Sequence, residues 1–219
     1  QQAPRAPVAL MLRGNCFEPD RLLPYAPLVD LLRGFIASCA PDKVAAYLGP
    51  VGAELGGLLP EVSDLLSRSS PGPTHEPEHD RRRLVQDLKQ VFTRLATRHP
   101  LLLVVEDLHW SDDASLDFLL RLARHIDTSP ILLLLTYRGD EVQTGLARFI
   151  GALERERLAA ECALTRLSMG EVDTMVRAIF GLERPVRSEF LEALFALAEG
   201  NPFFTEEILK ALVTAGDIF

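Results

Sequence analysis

The stretch Leu101-Leu-Leu-Val-Val-Glu-Asp-Leu-His-Trp-Ser-Asp-Asp113 decides the fold of this chain. Five apolar residues, two of them β-branched, are followed at once by two carboxylates. A short apolar run next to a helical pattern predicts a strand that is buried on both faces of a parallel α/β sheet. Glu106 and Asp107 then lie at the carboxyl end of this strand, where open α/β sheets bind ligands. Because buried carboxylates require a metal, a cation or a proton, both acids are candidate site residues.

The alternative interpretation is that these acids only cap the next helix. Asp112 suits that role better, since Ser111-Asp112-Asp113 opens the amphipathic run from Leu116 to Ala123. We therefore predict that Asp112 caps a helix and that the two preceding acids remain available for a site.

The string from Val104 to Asp112 resembles the Walker B segment of the AAA-type ATPase modules in large LuxR-type transcriptional regulators, which are STAND-class signalling NTPases. Related modules occur in class III nucleotide cyclases. The resemblance extends from about residue 8 to residue 219. It implies a P-loop NTPase-like (ASCE/AAA) α/β fold, truncated at its N-terminus, with a C-terminal helical lid. It also implies that Glu106 helps to hold Mg²⁺ and that Asp107 orients the attacking water, although the family usually has Asp where this chain has Glu106.

A second apolar strand is predicted at residues 130–136 and is followed by Tyr137-Arg138. Thr136-Tyr-Arg resembles the sensor 1 segment of the same family, which implies that Arg138 senses the γ-phosphate of ATP. The alternative is that Arg138 pairs with Asp140 or Glu141 on the surface.

The C-terminal part resembles the helical lid of these modules. We predict a core domain at residues 1–166 and a lid at 167–219, with a capping box formed by Ser168 and Glu171 at the lid's first helix. Gly200-Asn201-Pro202 resembles a lid segment that approaches the nucleotide, and the resemblance implies a cofactor-binding role for these three residues. A glycine that ends one helix and a proline that starts the next are also a sufficient local explanation.

The remaining pattern predicts an alternation of strands and helices. All strands are expected to be parallel, with the strand at 131–136 beside the one at 101–106. The further predicted segments are strands near 8–12 and 161–165, a turn at Gly14–Asn15, two or three short helices within 41–67, and helices at 80–98, 145–158, 169–180, 186–199 and 203–215.

Residues 68–80 are predicted to form an exposed, Pro-rich loop. Within it, His75-Glu-Pro77-Glu-His79 matches the HExxH pattern of zinc proteases. That pattern requires a helix that places both histidines on one face, and Pro77 is incompatible with the interior of such a helix. If Pro77 is the first helical residue instead, His75 lies outside the helix. We therefore predict that this loop binds no zinc.

Composition narrows the classes of function. A net charge of −8 argues against a nucleic-acid-binding surface. Cys16, Cys39 and Cys162 are scattered and form no CxxC pair, which suits a reducing cytoplasm. The longest apolar runs are too short to span a bilayer.

The sequence contains no G-x-x-x-x-G-K-[ST] phosphate-binding loop. In the family that it resembles, this Walker A loop precedes the segment that starts this chain. The chain is therefore expected to be a fragment that neither binds nor hydrolyses ATP by itself. Its parent would be an ATPase that uses ATP and Mg²⁺. An output domain beyond Phe219 is expected to bind DNA. This expectation is also compatible with self-association of the parent. Two alternatives stay open: a degenerate, non-catalytic scaffold for protein contacts, or the ATPase module of a nucleotide cyclase or kinase.

Overall fold

Three strands form one parallel sheet. The computed structural model describes residues 9–48, 55, 59, 77–126 and 128–217. It places β1 at Leu10–Asn15, β2 at Leu101–Glu106 and β3 at Ile131–Leu135, in the order β1-β2-β3. Leu101 of β2 lies opposite Leu10 on one side and opposite Ile131 on the other. The prediction of parallel strands, with the strand at 101–106 beside the one at 131–136, is confirmed.

The helices of the described residues follow the predicted alternation. Their bounds are α1 Ala26–Ser38, α2 Pro41–Leu48, α3 Pro77–Ala96, α4 Asp113–Ala123, α5 Thr144–Arg155, α6 Met169–Phe180, α7 Ser188–Ala198 and α8 Pro202–Ala215. Single 3₁₀ turns occur at Glu18–Asp20, Leu108–Trp110 and Gly139–Glu141. Within the described ranges, every helix is too short or too polar to cross a bilayer.

The start of α3 corrects the predicted loop at 68–80. The last four residues of that loop are helical, because Pro77 occupies the first helical position, where proline is tolerated. His79 therefore lies in the helix, whereas His75 and the rest of the predicted loop fall outside the described residues, as does most of the segment 49–67. Among the residues that the structure describes, no group of three or more potential ligands could hold a metal ion. The absence of zinc stays a prediction.

The predicted turn at Gly14–Asn15 is wrong, because β1 continues through Asn15. The backbone amide and the side-chain amide of Asn15 both donate to Asp30 Oδ2, at 3.0 and 3.2 Å. A Cβ on Gly14 would lie 2.4 Å from the carbonyl oxygen of Pro27. Glycine is thus required here because α1 approaches the strand closely, and not because the chain turns.

The two faces of the sheet differ in their coverage. One face carries Leu12, Leu103 and Val105, which are buried in a core shared with α1, α3 and α4. On the other face, which the register assigns to Met11 and Leu132, these two side chains are 62% and 65% exposed. β2 is nearly as buried as predicted, but β3 is only half-buried, because it is the edge strand of the described sheet.

The predicted strand at 161–165 does not form. These residues are exposed and make no ladder with any described strand. A strand needs a neighbour for its backbone N–H and C=O groups. The apolar pattern of the segment therefore could not establish a strand by itself.

The chain divides into two compact units, Gln1–Ala160 and Glu161–Phe219. In the second unit, α6, α7 and α8 enclose Val172, Val176, Leu194 and Leu209. The predicted capping box at the start of α6 is confirmed, since Ser168 and Glu171 exchange side-chain and backbone hydrogen bonds. The hydrogen bonds from the backbone and hydroxyl of Ser168 lower the pKa of the Glu171 carboxyl.

Candidate functional site

Polar side chains collect where the three parallel strands end. Asn15 ends β1 directly opposite Glu106, which ends β2. Thr136 follows β3, and its backbone N–H donates to the carbonyl of Val105 at 3.1 Å. This carboxyl edge is where an open parallel sheet binds its ligands. The structure therefore brings the predicted acids and the predicted sensor segment to one edge.

Glu106 is held by a cation that the sequence analysis did not assign. The guanidinium of Arg13, on the neighbouring strand, forms a hydrogen-bonded ion pair with Glu106 Oε2. Arg13 and Asn15 are two residues apart, so both side chains project from the face of the sheet that carries Glu106. In the sequence, the two-residue spacing of Arg13 and Asn15 was the only indication of this pairing. That spacing becomes informative only when the register of β1 and β2 is known.

Asp107 has an unusual backbone conformation. Its φ and ψ are 59° and 44°, in the left-handed region that few residues other than glycine adopt. Thr136 supports this conformation: its hydroxyl accepts from the Asp107 N–H at 3.2 Å, and its carbonyl accepts from the Leu108 N–H at 2.9 Å. Strained residues of this kind cluster at functional sites, which favours a role for Asp107 beyond capping.

Arg138 is exposed and paired with an acid. Its Nη1 donates to Glu141 Oε1 at 2.8 Å, and its guanidinium carbon lies 6.0 Å from the centre of the Trp110 ring. The hydrogen bond to Glu141 raises the pKa of Arg138, with smaller contributions from the charges of Asp107 and Asp140. The surface ion pair left open by the sequence is therefore present, and a role as sensor requires Arg138 to exchange this partner for a phosphate.

His109 is a buried residue that contacts the backbone of Arg138. Its side chain is buried, and Nδ1 accepts from the Arg138 backbone N–H at 3.4 Å. A proton on the other ring nitrogen follows from this bond. Nε2 lies 3.6 Å from Glu141 Oε2, and the ring contacts Trp110 with centroids 4.5 Å apart. The sequence analysis assigned no role to His109 or Trp110, and it did not predict that Glu141 lies beside the His109 ring.

Asp112 and Asp113 have separate, structural positions. The Asp112 carboxylate accepts from the Ser115 N–H at 2.9 Å and caps α4, as predicted. Asp113 is exposed in the first turn of the same helix.

The oxygen-rich edge is compatible with one mode of Mg²⁺ binding. Glu106, Asp107, Thr136 and Asn15 offer carboxylate, hydroxyl and amide oxygens, the ligand types that Mg²⁺ prefers. Two carboxylates do not fill the coordination shell of Mg²⁺. In proteins, however, this ion usually binds through one or two carboxylates, with water and substrate phosphates as the other ligands. Arg13 would share Glu106 with the ion or release it.

The segment Gly200-Asn201-Pro202 has a complete local explanation. Gly200 has φ +73°, and a Cβ there would lie 2.1 Å from the Leu167 carbonyl oxygen. The Asn201 side chain accepts from the Phe203 N–H at 3.0 Å and caps α8, which begins with Pro202. A nucleotide contact by these three residues stays a prediction.

Cys16 lies next to the candidate site but is not a nucleophile. Its backbone N–H donates to the Glu106 carbonyl at 2.9 Å, and its side chain is 2% exposed. Burial raises the pKa of the thiol to about 12 against a lowering hydrogen bond with Ser111, and the nearby charges of Asp112 and Asp107 raise it further. The thiol is therefore protonated at neutral pH.

We expect iodoacetamide at pH 8 to alkylate Cys162 in the folded protein and to leave Cys16 unmodified. Cys162 is exposed, whereas Cys16 is buried with a pKa of about 12. Peptide mapping by mass spectrometry before and after denaturation measures both sites. Equal labelling rates in the folded protein would contradict the assigned burial and protonation of Cys16.

These features define a class of protein: an open, parallel α/β domain with acids at the carboxyl edge of its sheet, followed by a separate unit of three helices in the described residues. The chain belongs to the AAA ATPase domain family, whose model matches residues 1–135. It is 27% identical over 180 residues to an uncharacterised protein of Rhizobium meliloti (strain 1021). That alignment covers 76% of this chain but spans only 17% of the length of the relative. No solved structure matches the chain significantly.

Proposed function

We propose that the chain is most of a STAND-type regulatory ATPase module in a multidomain signalling protein of the LuxR-regulator type. In this proposal, ATP binding sets one conformation and hydrolysis resets it, while an output domain beyond Phe219 binds DNA. Membership of the AAA ATPase domain family supports the ATPase part. The much greater length of the Rhizobium meliloti relative supports the multidomain part.

The observation that carries the proposal is the placement of Asp107. Its carboxylate is presented at the carboxyl edge of the sheet by a left-handed backbone that Thr136 of the adjacent strand stabilises. An acid at this position can accept a hydrogen bond from an attacking water and polarise it. Asp107 is half-buried and forms no ion pair with a cation in the part of the chain that the structure describes, which leaves it available for this role.

The neighbouring residues receive complementary roles. Glu106 helps to hold Mg²⁺, and Arg138 senses the γ-phosphate after leaving Glu141. When bound, Mg²⁺ supplies charge neutralisation for the phosphates of ATP. The unit Glu161–Phe219 serves as the lid, and Gly200, Asn201 and Pro202 contact the nucleotide.

The second candidate function is a non-catalytic scaffold. The ion pairs Arg13–Glu106 and Arg138–Glu141 favour it, since both use charged groups that catalysis would need. A module within a nucleotide cyclase or kinase differs from the first proposal only in the output domain.

We expect the natural full-length gene product to hydrolyse ATP in a Mg²⁺-dependent manner and the 219-residue chain alone to bind Mg·ATP too weakly for isothermal titration. Most phosphate affinity in P-loop enzymes comes from the backbone N–H groups and lysine of the Walker A loop. Absence of turnover in the folded natural protein would favour the scaffold. A micromolar dissociation constant for the 219-residue chain would show that it contains a phosphate site of its own.

A further inference from the structure

A cleft of about 770 Å³ lies between α3 and α4. Its volume is in the range of small-molecule binding sites. The described residues that line it recur every three or four positions, from Arg82 to Thr93 on α3 and from Ala114 to His125 on and after α4. The cleft is therefore formed by one face of each segment. Its described lining includes none of the residues assigned to the ATP site.

The lining of the cleft is cationic although the chain is acidic. Arg82, Lys89 and Arg121 line it together with one acid, Asp117, whereas the whole chain has a net charge of −8. In the part of the chain that the structure describes, Lys89 and Arg121 form no salt bridge. A groove with this charge in an acidic protein attracts an anion.

Tyr25 adds an aromatic ring to the wall of the cleft. It precedes α1, lines the same cleft, and its side chain is only 5% exposed. Its hydroxyl is buried and has no hydrogen-bond partner among the described residues. Because the hydroxyl is also closed to solvent, a ligand in the cleft can contact the ring of Tyr25 but not its hydroxyl.

We infer that this cleft binds a small organic anion. Lys89 and Arg121 face its anionic group, and Val85, Ala114 and the ring of Tyr25 contact its apolar body. Charge-assisted hydrogen bonds to Lys and Arg supply most of the selectivity for a negative charge. This site is independent of the proposed ATPase activity.

The experiment uses two probes with the same apolar body and opposite charge, 1-naphthoate and 1-naphthylmethylamine. Each is titrated into the ¹⁵N-labelled 219-residue protein, and amide shifts are recorded in two-dimensional NMR spectra. We expect 1-naphthoate to give saturable shifts at residues 82–93 and 114–125, and the amine to give none there. Saturable shifts confined to other residues, or equal affinity for the two probes, would overturn the inference.

Variants test the individual contacts. We expect Lys89→Gln combined with Arg121→Gln to weaken 1-naphthoate binding by about tenfold or more, since two charge-assisted contacts are lost. Arg94→Gln is the matched control, because Arg94 lies on α3 outside the cleft lining. Gln retains high helix propensity, so far-ultraviolet circular dichroism should be unchanged in all three substitutions. Unchanged affinity in the double variant would refute the anion site.

Tyr25→Phe removes only the hydroxyl and keeps the buried ring. Because the hydroxyl is closed to solvent, we expect 1-naphthoate to bind this variant as tightly as the wild type. A tenfold loss of affinity would contradict the assignment of Tyr25 as a contact made by its ring alone.

Discussion

Asp107→Asn is expected to lower ATP turnover of the natural full-length protein by about 10²- to 10⁴-fold, the usual contribution of a general base. ATP affinity should change little, because the substituted side chain retains its size and its hydrogen-bonding groups. The backbone should also be unaffected: Asn tolerates the left-handed conformation that Asp107 adopts, with φ 59°. Loss of the negative charge is then the main change at the site.

Turnover and nucleotide affinity should be measured separately, by steady-state phosphate release and by equilibrium binding. Glu106→Gln should also lower turnover, but it removes the partner of Arg13 and a proposed Mg²⁺ ligand, so both quantities should change. Asp107→Asn should therefore give the cleaner separation of turnover from binding.

Asp113→Asn is the matched control for the loss of one carboxylate. Asp113 is exposed in the first turn of α4, and its Oδ1 lies 4.0 Å from Nη2 of Arg148, at the limit of an ion pair. Its replacement should cost about 0.3–1 kcal/mol of helix-dipole stabilisation and leave turnover unchanged. Undiminished turnover in Asp107→Asn would remove that residue from the mechanism.

Gly200→Ala is expected to destabilise the second unit by about 2–5 kcal/mol, from backbone strain and steric overlap together. The φ of +73° is unfavourable for alanine, and the added Cβ would lie 2.1 Å from the Leu167 carbonyl oxygen. The two segments cannot separate easily, because the Leu167 N–H donates to the Gly200 carbonyl at 2.8 Å.

Hydrogen exchange measured by mass spectrometry can follow peptides of α6, α7 and α8 separately from those of the first unit. Gly170→Ala is the control, since Gly170 lies within α6 and a Cβ there meets nothing within 4 Å. That control should stabilise the unit by about 0.4–1 kcal/mol. Exchange in Gly200→Ala as slow as in the wild type would contradict the close approach to Leu167.

The sequence by itself determined the features that depend on local interactions. The apolar runs at 101–105 and 131–135 indicated two strands, and the parallel pairing follows from the helical pattern between them. The caps by Asp112 and Ser168 were also predictable, because a cap links residues only three positions apart. Both depend on residues that are close in sequence.

Only the tertiary structure decided the contacts between distant residues. Arg13 and Glu106 meet because β1 and β2 pair in one particular register, and a shift of one residue would place them on opposite faces. The same reason applies to Thr136 and Asp107, and to the cleft that Tyr25, α3 and α4 form together. The segment 161–165 shows why residue types alone were not sufficient to predict a strand. Its residues suit a strand, but a strand forms only where a neighbouring segment donates and accepts its backbone hydrogen bonds.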